Sequence, residues 1–162
     1  MTFGYRQANA LLFSCVILVS GLMALDFINP SLPYIMKSFG VSEYATKQLI
    51  VFFFAGVCLS QFCYGAISDN YGRKITIVAA LSLACIGILI SIYATSIDVM
   101  YIGRFINGFG SGGAPVIARA IIADAFKNQK SLNKAFSYYS IASQISPAIA
   151  PVIGGAIQQY YN

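Results

Sequence analysis

Hydrophobic positions in this chain fall in long, nearly unbroken blocks separated by short polar turns. The segments VFFFAGVCLSQFCY (51–64) and ITIVAALSLACIGILISIYA (75–94) carry no charge, yet the turn between them, GAISDNYGRKI (65–75), packs Asp69, Arg73 and Lys74 around Gly65 and Gly72. About 20 apolar residues are needed for a helix to cross the hydrocarbon core of a bilayer. The pattern therefore predicts an all-α membrane protein with five spans. They cover 10–35, interrupted by Asp26, Pro30 and Pro33; 48–67; 75–95; 99–123, with Arg104 and Arg119; and 135–157, less apolar and carrying Pro147 and Pro151. The connections are short, with no inserted soluble domain, low-complexity tract or obvious repeat.

Composition agrees. The chain has 162 residues, 58% hydrophobic and 9% charged, with a mean hydropathy of +0.73. Soluble domains carry about a quarter charged residues. The net charge of +5 is mainly a statement of topology. With the N-terminus inside, the inner segments carry Arg6, Arg73, Lys74, Lys127, Lys130 and Lys134, and the outer ones only Lys37 and Lys47. The excess of Lys and Arg on one side places the N-terminus in the cytoplasm. No basic patch on a soluble surface suggests nucleic acid as a partner. The first apolar run follows Arg6 but lacks a small-x-small cleavage site, so it reads as a span and not as a signal peptide.

Little here suggests catalysis. Cys15, Cys58, Cys63 and Cys85 all lie inside spans, at spacings that match no zinc or redox motif, and read as small buried hydrophobes. There is no His, and no paired carboxylates or nucleophile constellation. Enzyme activity, a metal and a cofactor are not expected. The polar turn leaves two readings open. Arg73 and Lys74 as donors and Asp69 as acceptor pin the inner ends of two helices, with Gly72 permitting the backbone turn, or the turn is a solvated loop obeying the positive-inside rule.

Four stretches together resemble the major facilitator superfamily. The run Gly65-Ala-Ile-Ser-Asp69-Asn-Tyr-Gly72-Arg73-Lys74 is similar to that family's G-x-x-x-D-x-x-G-R-K signature between spans two and three. LDFINPSLPYI in span one resembles the acidic motif of proton-coupled drug exporters, with Asp26 at its acidic position. Arg104-Phe-Ile-Asn-Gly108-Phe-Gly110 resembles the R-x-x-x-G-x-G motif of span four, which ends at Asp124. SPAIAPVIGG (146–155) is similar to the span-five antiporter motif, its P-x-x-G-G core being Pro151, Gly154 and Gly155. The resemblance covers about Leu25 to Gly155 and is closest to the Bcr/CflA-type drug/proton antiporters. Departures are Ala150, where a glycine often precedes the proline, and Ala123, where relatives often carry a basic residue.

The resemblance implies a fold and a set of roles. Complete members have twelve spans in two six-helix halves, so a chain of five spans corresponds to an incomplete N-terminal bundle whose partner is the missing C-terminal half. The implied activity is efflux of a small amphipathic drug or metabolite by proton-coupled antiport through alternating access, in a bacterial inner membrane. Asp26, an ionisable group inside a span and so directed to a wet interior, is expected to bind protons; the alternative is a structural Asp near Asn29 and Pro30. Arg104 is expected to act in coupling or on a substrate carboxylate, and otherwise to snorkel. Arg119 reads as snorkelling.

The resemblance also implies that Gly65, Asp69, Gly72, Arg73, Lys74 and Asp124 gate the inner face. Gly108, Gly110, Gly112 and Gly113 give span four a face for close helix packing, with a bend at Pro115. Pro147, Pro151, Gly154 and Gly155 are expected to act as packing and hinge residues in span five. Phe52, Phe53, Phe54 and Tyr138 read as lipid-facing or interhelical. Alternative functions are a facilitator or symporter of a nutrient with the same fold, which the antiporter motif disfavours, and a truncated membrane protein that does not transport.

Overall fold

The computed structural model describes residues 4–26 and 28–161. Its elements are α1 (Tyr5–Asp26), a 3-10 turn (Asn29–Ser31), α2 (Leu32–Phe39), α3 (Glu43–Tyr71), α4 (Arg73–Ile92), α5 (Ile97–Ser111), α6 (Gly113–Ala125) and α7 (Gln129–Tyr161). Among the described residues there is no strand, and the chain is an all-α bundle. Among the described residues, three stretches are long and apolar enough to cross a membrane: Tyr5–Phe39, Glu43–Tyr71 and Arg73–Ile92.

The helix ends follow local chemistry. Ser42 and Ser96 stand in extended conformation ahead of α3 and α5, and their hydroxyls accept from the backbone N–H of Ala45 and Val99. Each cap satisfies one of the amides that a helix start leaves unpaired. Glu43 and Asp98 sit in the first turns, where a negative charge meets the positive end of the helix dipole. Pro30 and Pro33 open the 3-10 turn and α2, positions where a missing N–H costs nothing. Those prolines divide the stretch read as one span into α1 and α2.

The stretch read as span four is also divided. α5 gives way to α6 at Gly112, three residues before Pro115. Pro115 has no N–H to offer the Ser111 carbonyl four residues back, and one residue further on the Gly112 carbonyl accepts from the side chain of Gln61 at 3.0 Å. α7 runs without interruption from Gln129 to Tyr161, through Pro147 and Pro151.

α5 is the centre of the fold. It lies between α3 and α4 and meets both through backbone. A Cβ added at Gly56 would strike the Phe105 carbonyl, and one at Gly108 would strike the backbone of Phe53. On the other side, a Cβ at Gly87 would meet the backbone of Asn107, and one at Gly110 that of Ala84. In a membrane, where lipid is as apolar as leucine, such backbone approach is a main source of helix association. Buried positions on α3 recur as Thr46, Leu49, Phe53, Gly56, Ser60, Tyr64 and Ser68, a single stripe at helical spacing. The hydrophobic core joins Ile17 and Leu18 of α1 to Ile77, Ala80, Ile117, Ile122 and Tyr139. Buried hydroxyls are satisfied within their own helices: Ser14 donates to Ala10 O at 2.8 Å, Ser60 to Val57 O at 2.6 Å and Thr76 to Gly72 O at 2.9 Å.

Candidate functional site

Two polar constellations interrupt this apolar body, one at the end marked by the 65–75 turn and one inside the bundle.

At the turn, Gly72 adopts φ +88, a region that side chains with a Cβ rarely enter. That backbone reversal joins α3 to α4 without a loop and brings Arg73 back over the last turns of α3. Arg73 then makes three bonds. Its Nη1 donates to Asp69 Oδ1 at 2.6 Å and to Ser68 Oγ at 2.7 Å, and its Nε donates to Asp124 Oδ2 at 2.9 Å. One guanidinium thus links α3, α4 and the end of α6. A planar fork with several donors suits two carboxylates at once, which a lysine could not match. Asp69 and Asp124 are 68% and 59% exposed, Arg73 28%, so the bracket lies at a wet surface. Lys74 is exposed and takes part in none of these bonds. Gly65 has open space where its Cβ would stand. Beside the bracket a cleft of about 560 Å³ is lined by Arg6, Gln7, Ile121 and Asp124.

Inside the bundle, Arg104 is 5% exposed. Its Nη1 donates to Ala24 O at 3.4 Å and to Asn107 Oδ1 at 3.2 Å, and its guanidinium lies over the Phe53 ring, 4.6 Å from the centroid. Asn107, fully buried, donates in turn to Ala84 O at 3.1 Å. Nε and Nη2 of Arg104 have no hydrogen-bond partner among the described residues. Arg104 forms part of the wall of a cavity of about 440 Å³ together with Ala24, Ile28, Ile88, Ser91 and Met100. The Asp26 side chain lies outside the described residues.

The antiporter stretch is placed in part. Pro147 lines a smaller cavity, about 160 Å³, with Gly21, Phe54, Val57, Gly112 and Pro115. Gly154 is buried, Gly155 has no neighbour where its Cβ would stand, and the Pro151 side chain lies outside the described residues. Gly112 packs on Ser60 and Val57 of α3. Arg119 is exposed and lies 5.6 Å from the Tyr139 ring. The four cysteines are free thiols, and no metal-binding group is found among the described residues.

Sequence reasoning missed three polar contributors. Asn107 sits three residues after Arg104, on the same helix face, and that spacing was the available signal. Gln61 was visible only as a polar residue within an apolar run. Ser68, one of the bracket's three acceptors, precedes Asp69 and carries no signal of its own.

The arrangement, a close-packed helical bundle with a charged bracket at one end and a buried arginine at mid-bundle, can be set beside known proteins. The model of the Major Facilitator Superfamily matches residues 12–162. The chain belongs to the major facilitator superfamily. Relatives include Multidrug resistance protein D of Escherichia coli, 27% identical over 157 residues, which are 97% of this chain and 40% of the relative. The Bicyclomycin resistance protein homolog of Haemophilus influenzae is 26% identical over 137 residues, 85% of this chain and 34% of the relative. Drug efflux pump JefA of Mycobacterium tuberculosis is 24% identical over 130 residues, 80% of this chain and 26% of the pump. The chain therefore spans less than half the length of these relatives. That family is one of membrane transporters, and the chain's resemblance within it is to the Bcr/CflA-type drug antiporters.

Proposed function

We propose that the chain is the N-terminal part of a transporter that exports small amphipathic drugs or metabolites in exchange for protons, by alternating access. Its partners are the membrane lipid, the transported compound, protons and a C-terminal half that completes the two-fold bundle. The N-terminus lies in the cytoplasm and the membrane is a bacterial inner membrane. This reading is supported by the excess of Lys and Arg at the bracket end and by relatives named for multidrug resistance and drug efflux.

The observation that carries the mechanism is the Arg73 bracket. Joined to Asp69 and Asp124, Arg73 holds the ends of α3, α4 and α6 together while the transporter is open outward. Exposed ion pairs are individually weak, about 0–1 kcal/mol, so the bracket can open when the inner face must part. Gly65, Gly72 and Lys74 belong to the same gate, Gly72 by setting the reversal. Asp26 and Arg104 couple protons to substrate. Gly108, Gly112, Pro147, Pro151, Gly154 and Gly155 set close packing and bending along spans four and five.

Proton flux in everted membrane vesicles tests this, with drug added to wild type and to Asp26→Asn, both in the complete transporter. Drug-dependent proton movement that Asp26→Asn abolishes is expected. Equal flux in the two proteins would remove Asp26 from coupling, and drug movement without protons would make the protein a facilitator.

A further inference from the structure

We propose that the cavity beside Arg104 binds the carboxylate head of a small amphipathic substrate, so that the compounds carried include monoanions or zwitterions and not simple organic cations alone. This rests on the reading of the cavity as part of the transport pathway. A guanidinium that is 5% exposed keeps Nε and Nη2 without hydrogen-bond partners among the described residues, two donors in need of an acceptor. Buried charges are normally paired and hydrogen-bonded. Asn107 and Ala24 supply neutral acceptors to Nη1 alone, and the Phe53 face attracts the cation without accepting from its remaining N–H groups.

The space next to it has the corresponding shape. At about 440 Å³ the cavity is within the range of small-molecule sites, roughly 300–1,000 Å³. Ile28, Ile88, Ile92 and Met100 line it with hydrocarbon, Arg104 adds a cation, and no acidic residue is among the described residues of its wall. The Ser91 hydroxyl, which donates to Gly87 O at 2.9 Å, leaves its oxygen as an acceptor for a ligand N–H. A carboxylate takes two N–H groups of a guanidinium in parallel, which matches the number of unpartnered nitrogens. An ammonium placed there would meet a like charge in a medium that screens it poorly.

The chain contains no Trp, so Ile92→Trp puts a single reporter on the cavity wall. Three non-absorbing probes of similar shape, cyclohexanecarboxylate, cyclohexanecarboxamide and cyclohexylammonium, are titrated against the full chain in phosphatidylcholine nanodiscs by Trp fluorescence. The carboxylate is expected to bind at least about 10-fold more tightly than the carboxamide, the ammonium most weakly. Adding Arg104→Gln removes the preference, and Arg104→Lys keeps part of it. The ranking on the Ile92→Trp chain decides the matter even where an Arg104 variant fails to fold, as judged by circular dichroism. Equal or tighter binding of the carboxamide or ammonium, or no binding of any probe, overturns the inference. So does a carboxylate preference that emerges only with Asp26→Asn, which would give the guanidinium to Asp26. Loss of the preference in phosphatidylglycerol nanodiscs would give it to a lipid phosphate and equally overturn it. Failure of proton flux with the preference intact refutes antiport alone; flux without the preference refutes this inference alone.

Discussion

The Arg73 bracket makes a quantitative prediction. Arg73 is 28% exposed and Asp124 59% exposed, at 2.9 Å, so their pairing belongs to the class of solvent-screened contacts worth about 0.2–1 kcal/mol. A double-mutant cycle with Arg73→Ala and Asp124→Ala, read from reversible unfolding in mixed micelles, is expected to give a coupling energy in that interval. Arg73→Ala alone costs more, about 1–3 kcal/mol, since it also removes the pair to Asp69 at 2.6 Å and the bond to Ser68 at 2.7 Å. Raising the salt to about 1 M, where the screening length falls to about 3 Å, should reduce the coupling. A coupling above about 2 kcal/mol, or one indifferent to salt, would refute the reasoning, because it would require a dry site. A coupling of zero at low salt would mean that the contact is not made. The expected size has a functional meaning: a contact worth up to about 1 kcal/mol shifts a two-state population by no more than about 5-fold, enough to favour one state without trapping it.

Glycine substitutions should change sign with position. Gly108→Ala places a methyl against the backbone of Phe53, whereas Gly65→Ala meets nothing within 4 Å. Unfolding measurements should show Gly108→Ala destabilising by about 1–3 kcal/mol through overpacking, and Gly65→Ala stabilising by about 0.5–1 kcal/mol through helix propensity; equal effects would refute the packing of α5 on α3. Asn107→Leu removes an acceptor from Arg104 and a donor from Ala84 O, so it should cost about 1–3 kcal/mol. Asn107→Asp, which keeps the acceptor, should cost less, and equal losses would show that Asn107 acts by shape alone.

The parts of this fold legible in the sequence are those that depend on a continuous run of one kind of residue. The apolar segments that became α3 and α4 were plain, as was the turn between them, because Gly72, Arg73 and Asp69 lie within five positions of each other. Asp124 is 51 residues from Arg73, and only the resemblance to a known family joined them. The division of the stretch 97–125 was foreshadowed by Pro115, but the bond that Gln61 brings across from α3 to the Gly112 carbonyl at the division is a tertiary contact. The environment of Arg104 was hidden for the same reason. Whether an arginine inside a span snorkels or is buried depends on which side of its helix meets neighbours, and here Gly103, Asn107 and Gly108 are all buried on α5, so the guanidinium is enclosed.

Stiff and yielding regions are separated in this bundle. α3, α5 and α4 touch through backbone at Gly56, Gly108, Gly87 and Gly110, and contacts of that kind leave no side chain to rearrange if one helix slides on another. Motion within this triplet would open gaps or force overlaps along the whole length of α5. Two other features can give. One is the junction at Gly112, whose carbonyl accepts from the Gln61 side chain at 3.0 Å and where Pro115 removes the backbone donor that would serve the Ser111 carbonyl. The other is the bracket, whose carboxylates are mostly exposed. α6, between these two points, is held along its length by the buried Ile117 and Ile122, so what can give while the triplet stays intact is its two ends. Arg104 lies on the stiff side of that division. Its guanidinium is fixed over Phe53 and against Asn107, and a fixed cation beside a preformed cavity suits recognition, because little of the binding energy is then lost in ordering the site.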